Sequence, residues 1–201
     1  MRKAVSHLKQ ACPVMSGIID RWGAPKIEYL DADFKTLSRC IVGQQLSGKA
    51  ARTIFGRFEA ACGRGGVTPA AILKLGEEGL RPLGLSMQKS GYLIDLAEKT
   101  RARKLRFDRL EKMGDEEVIE HLTQVKGVGV WTAQMLLMFA LRREDVFPTG
   151  DLGIRNAIQR AWAMEEPPKP ARMEEIAGPW RPYRTLACWY LWRSLENQAG
   201  L

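Results

Sequence analysis

The stretch Val130–Leu141, VWTAQMLLMFAL, constrains the fold of this chain more than any other. It is apolar on nearly every side of a 3.6-residue period, so as a helix it has no face for water and belongs in the middle of a fold. Just before it stands Lys126-Gly-Val-Gly129. Each glycine costs about 1 kcal/mol against alanine inside a helix, and this close pair therefore predicts a turn. Asp115 reads as the N-cap of a preceding helix that runs to about Val125. The segment is thus a helix, a tight turn and a buried helix whose N-terminus is held rigidly.

Apolar residues also recur at three- and four-residue spacing in Asp33–Val42, Gly48–Cys62, Gly91–Glu98 and Thr185–Leu195. Turn chemistry separates these segments at Gly63-Arg-Gly-Gly66, Leu83-Gly-Leu-Ser86, Pro148-Thr-Gly150 and Pro167–Pro170. Alternating strand patterns are missing, which predicts an all-α fold. No segment is long and apolar enough to span a bilayer. The 31 basic against 23 acidic residues give a net charge of +8, which favours a polyanionic partner without requiring one. Cys12, Cys40, Cys62 and Cys188 lie far apart with no C-x-x-C pair. They predict reduced thiols rather than a zinc knuckle or an iron–sulfur cluster, and a cytoplasmic protein, or a nuclear one in a eukaryote.

Two local features carry chemistry. After Gly127-Val-Gly129 the next helix presents unpaired amides and the positive end of its dipole, which suits a phosphate oxygen, and Lys126 adds a formal charge. The same glycines also fit a plain αα-turn. Asp151 follows Pro148-Thr-Gly150 and precedes a predicted helix over Leu152–Ala163. It reads equally as an N-cap or as a carboxylate placed for catalysis, and one role does not exclude the other. His7 and His121 lie away from both features and read as ordinary helix residues.

The longer string Leu122-Thr-Gln-Val-Lys-Gly-Val-Gly-Val-Trp-Thr-Ala133 resembles the helix–hairpin–helix motif, and with Pro148, Gly150 and Asp151 it resembles the HhH-GPD superfamily of DNA glycosylases. Ile41-Val-Gly-Gln-Gln-Leu-Ser47 is similar to the family's early I-x-G-Q-x-x-S segment, and Leu83–Lys89 to its G-x-x-x-x-K stretch. Trp180-Arg-Pro-Tyr-Arg184, with Leu191-Trp192, resembles the C-terminal signature of AlkA-type alkylpurine glycosylases.

The resemblance implies two helical lobes with a DNA-binding cleft between them. A central lobe would cover 33–131, and residues 1–32 with 132–201 would form the second. It implies Asp151 as the catalytic carboxylate, Trp131, Met135 and Trp192 as a pocket for an extruded base, and Gln45 as a wedge filling the hole in the stack. Gln44 and Gln45 read otherwise as helix caps, and each of the six tryptophans as core. Lys126, Gly127, Gly129, Val130 and Lys89 would hold the DNA backbone, and the carbonyls of Thr123, Val125 and Val128 a structural sodium or potassium ion. No cofactor is implied.

Strand-nicking relatives carry a lysine nucleophile two residues after the second hairpin glycine, where this chain has Trp131. The implied activity is therefore monofunctional hydrolysis of alkylated purines, such as 3-methyladenine and 7-methylguanine, from duplex DNA by a monomer. A silent DNA-binding module and a glycosylase for oxidised or deaminated bases are the competing readings. Met135 and Arg193 stand where the AlkA pattern has aromatics, which leaves the range of lesions open.

Overall fold

The computed structural model describes Met1–Glu196; its regular structure is eleven α-helices and three short 3-10 turns, with no strand among the described residues. The expected all-α class holds. No helix among these residues is long and apolar enough to cross a membrane. Two compact units emerge: 30–141 forms a central unit, and Met1–Tyr29 with the described residues from Arg142 onward form the other.

The central unit contains α3 (Phe34–Gly43), α4 (Gly48–Ala61), α5 (Pro69–Leu80), α6 (Met87–Arg101), α7 (Asp115–Thr123) and α8 (Val130–Phe139). Short polar side chains start four of these helices: Asp33, Ser47, Thr68 and Ser86 each accept a backbone N–H of the first turn. α7 begins differently from the sequence expectation. Its cap is Gly114, whose N–H donates to Glu117 Oε2 at 2.7 Å, and Asp115 is the first helical residue. Leu37, Ile41, Phe58, Ile72, Leu93 and Leu96 are fully buried and form the core.

The buried helix is real but shorter, and its first turn reaches solvent. Thr132, Ala133, Leu136, Leu137 and Met138 are buried, whereas Val130 and Trp131 are 53% and 48% exposed. A boundary after Trp131 would cut this helix in two. Because a helix is a cooperative hydrogen-bonded ladder, α8 stays whole and the boundary falls between Leu141 and Arg142.

The other unit holds α1 (Arg2–Ala11), α2 (Pro13–Trp22), α9 (Leu152–Ala161), α10 (Pro170–Ala177) and α11 (Arg184–Leu195). Leu8, Met15, Ile158, Trp180, Tyr190 and Leu191 are its fully buried centre. Trp162 packs on Trp180 with ring centroids 5.9 Å apart, and the Tyr190 hydroxyl donates to the Gly23 carbonyl at 2.8 Å. Two of the six tryptophans are thus accounted for by packing.

Candidate functional site

Within the central unit, the turn between α7 and α8 is closed by the Val128 N–H donating to the Val125 carbonyl at 3.0 Å. Its two glycines have different physical reasons. Gly127 sits at φ +77°, and a Cβ there would fall inside the Tyr92 ring, so both backbone and packing demand glycine. Gly129, the cap of α8 at φ −94°, has nothing within 4 Å of an added Cβ. The fold therefore does not demand glycine there, and the backbone at this cap is open to close approach. No side chain caps α8, so its first amides are presented outward together with exposed Val130 and Trp131.

Asp95 of α6 was not foreseen and braces this turn. Its Oδ2 accepts the Lys126 backbone N–H at 2.9 Å and its Oδ1 the Lys99 ammonium at 2.5 Å, with the residue only 9% exposed. Burial pushes the Asp95 carboxyl up, but the bonds from Lys99 and Lys126 outweigh that and hold it below its ordinary value. In sequence, Asp95 and Lys99 look like a surface pair at i,i+4 spacing; only the fold brings Lys126 to them.

Beside the hairpin lies the turn joining α3 to α4. Gln45 occupies its tip, exposed and at φ +57°, a left-handed conformation that disfavours non-glycine residues. Gln44 Nε2 donates to the Gly127 carbonyl at 2.8 Å. Lys89 Nζ donates to the carbonyls of Val42 at 2.8 Å and Gln44 at 2.6 Å. Two of the three donors of this half-buried ammonium thus bond the C-terminal end of α3, where a cation is favoured. Desolvation holds its pKa below the usual lysine value.

A recess of about 840 Å³ in the same unit is lined by Gln45, Lys89, Gly127, Trp131, Met135 and Cys40, among others. Burial raises the Cys40 thiol to about 11, with Arg39 opposing, so it is a neutral wall. Trp131 and Met135, expected in one pocket, both line this recess, and Gln45 lines it with them. Trp192, expected with them, belongs to the other unit.

There Asp151 caps α9. Its Oδ1 accepts the Ile154 N–H at 2.7 Å and the Trp192 indole N–H at 2.9 Å, and the residue is 7% exposed. The cap and the oriented carboxylate therefore coexist. Gly153 makes room: a Cβ would stand 3.0 Å from Trp192 Cδ1 and 3.1 Å from both Trp192 Nε1 and Asp151 Oδ1. Burial, reinforced by the negative charge of Asp151, pushes the neighbouring Cys188 thiol well above its ordinary value.

The 180–184 signature explains how Asp151 is placed. Buried Arg184 grips Asp145 through Nε to Oδ1 at 2.7 Å and Nη2 to Oδ2 at 3.1 Å, and reaches Glu174 at 3.0 Å. Arg181 adds a bond to Asp145 Oδ2 at 2.7 Å. Thr185 Oγ1 donates to the Arg143 carbonyl at 2.6 Å and accepts the Val146 N–H at 3.0 Å. The N-terminus of α11 thus clamps the strand of chain that ends at Asp151. Neither histidine takes part: His121 accepts the Arg106 N–H at 2.9 Å, and His7 lies 3.0 Å from the Pro179 carbonyl.

The profile of the HhH-GPD superfamily of base excision DNA repair proteins matches residues 38–182. A putative DNA-3-methyladenine glycosylase of Bacillus subtilis, YfjP, is 36% identical over 81% of this chain, which spans 59% of that protein's length. DNA-3-methyladenine glycosylase 1 of Schizosaccharomyces pombe is 37% identical over 80% of this chain and 72% of its own length. A solved structure of the S. pombe 3-methyladenine DNA glycosylase in complex with abasic DNA superposes with a TM-score of 0.87 at 33% identity, covering 99% of both chains.

Proposed function

The chain belongs to the HhH-GPD superfamily of base excision DNA repair proteins, and we propose that it is a monofunctional glycosylase that excises 3-methyladenine and related alkylated purines, 7-methylguanine included, from duplex DNA. The observation that carries this is Asp151, a carboxylate oriented by two donors on one oxygen. The similarity to 3-methyladenine glycosylases, one of them bound to abasic DNA, supports the substrate class.

In this reading the hairpin amides from Gly129 and Val130, with Gly127 and the Lys126 charge, hold backbone phosphates. The carbonyls of Thr123, Val125 and Val128 hold a sodium or potassium ion between hairpin and DNA; the Val125 carbonyl, with one internal bond from Val128, keeps a second lone pair for it. The damaged base leaves the stack, at a cost of a few kcal/mol that Gln45 offsets in part by filling the gap. An alkylated purine is cationic and stacks on the half-exposed Trp131 indole beside Met135.

The C1′–N bond then breaks with its electron pair leaving on the base, which departs neutral. Positive charge develops on the sugar, where Asp151 stabilises it and orients the water that adds to C1′; that water passes its proton through the carboxylate to solvent. Trp192 positions that carboxylate rather than stacking on the base. Trp131 has no amine with which to form a Schiff base, so the strand stays intact. The enzyme acts as a monomer and needs no redox cofactor.

The test is incubation with methylated duplex DNA, followed by chromatography of released bases. Free 3-methyladenine without strand cleavage is expected, and borohydride should trap no covalent protein–DNA adduct. Release of no alkylpurine would overturn the enzymatic reading, and a trapped adduct the monofunctional one.

A further inference from the structure

We propose that Gln44 and Lys89 are positioning residues that lock the Gln45 turn to the phosphate-binding hairpin, so that a duplex gripped by one meets the other in fixed register. This rests on the glycosylase reading above. Three separate elements converge here. Lys89, near the start of α6, ties down two C-terminal carbonyls of α3 at Val42 and Gln44, on the near side of the turn's tip. Gln44 then spans to the hairpin through the Gly127 carbonyl. One helical turn beyond Lys89, the Tyr92 ring packs on Gly127, and one turn further Asp95 holds the Lys126 N–H. α6 is therefore a bracket, with the α3–α4 turn at its start and the hairpin along its length.

The bracket holds something that would not hold itself. Gln45 has a left-handed backbone, and such a conformation persists only where the surroundings determine it. Within the turn the Leu46 N–H donates to the Gly43 carbonyl at 3.2 Å and the Gln44 N–H to the Ile41 carbonyl at 3.4 Å; side-chain bonds from Gln44 and Lys89 add to these. Gln44 Nε2 and two of the three Lys89 ammonium donors are engaged with carbonyls, so in this proposal both act on the reaction through Gln45.

The test compares Gln44→Met and Lys89→Met with Gln45→Ala and the Gln44→Met/Gln45→Ala double variant. Extrusion is read as 2-aminopurine fluorescence beside a lesion, and excision as single-turnover base release. Gln44→Met should slow extrusion about tenfold, the equivalent of one lost hydrogen bond in a constrained setting, with affinity for undamaged duplex retained. In the Gln45→Ala background the same substitution should change extrusion by less than about twofold, because coupled residues are non-additive. Lys89→Arg should recover most of the loss seen in Lys89→Met. Equal losses in both backgrounds, an inert Gln45→Ala, or a matching loss of undamaged-duplex affinity would each overturn the proposal. Gln44 is only half-buried, so its variant keeps the test open if Lys89→Met fails to fold. Extrusion without base release would refute the glycosylase reading and leave this one standing.

Discussion

Asp151 caps α9 and, in the proposed mechanism, also stabilises charge on the sugar; its Oδ1 accepts both the Ile154 N–H and the Trp192 indole N–H. Substitutions separate the two tasks. Asp151→Asn retains an acceptor oxygen for the cap and removes the negative charge; thermal unfolding should shift by less than about 1 kcal/mol. Asp151→Ala should lose about 1–2 kcal/mol as well, the usual cost of deleting a cap. Gly153→Ala places a methyl group 3.0 Å from Trp192 Cδ1 and displaces the ring that orients the carboxylate. Excision should fall about tenfold while DNA affinity holds, a pattern typical of an effect on transition-state stabilisation; unchanged excision would remove Trp192 from the account. The cap at Asp151 was legible in sequence, because an aspartate between a Pro/Gly turn and a helical pattern is a typical N-cap. Gly153 was not, since its need for glycine comes from a tryptophan far along the chain.

The hairpin predicts opposite behaviour for its two glycines. Gly127→Ala meets the Tyr92 ring and a positive φ, and should destabilise the protein by about 2–4 kcal/mol in denaturant unfolding. Gly129→Ala meets nothing and should leave stability nearly unchanged while weakening DNA binding. Loss of stability at Gly129 with retained affinity would contradict the assignment. The G-x-G spacing made the turn legible, but the division of labour depends on where Tyr92 lies. Asp95 was hidden for the same reason. Its folded pKa is depressed, so its stabilisation is present above the ordinary carboxylate range near 4 and is lost as pH falls through the lower folded value. Asp95→Asn should therefore be less stable than the parent at neutral pH and should show a flatter loss between about pH 4 and 2 by circular dichroism.

At the scale of the whole molecule, the chain builds its central unit from one continuous segment and the other from the two segments flanking it. Helical periodicity and caps made the all-α class legible, and turn residues placed most helix ends within a few positions. The unit boundary was misplaced because apolarity alone does not say which unit a helix belongs to. The 180–184 signature was legible only as resemblance; the structure gives it a physical role in clamping Asp145 and the loop to Asp151. The +8 charge and the hairpin together predict that DNA affinity falls with salt by roughly 0.9 log unit per log unit for each phosphate held. A flat response would remove the hairpin from the interface. Whether Asp151 drives hydrolytic release of an alkylated base is decided by single-turnover excision from a 3-methyladenine duplex by the parent and Asp151→Asn at matched DNA occupancy. The parent should release the base and the variant should lose at least about 100-fold, with DNA affinity within about threefold of the parent; equal release by both would rule out the role proposed for Asp151.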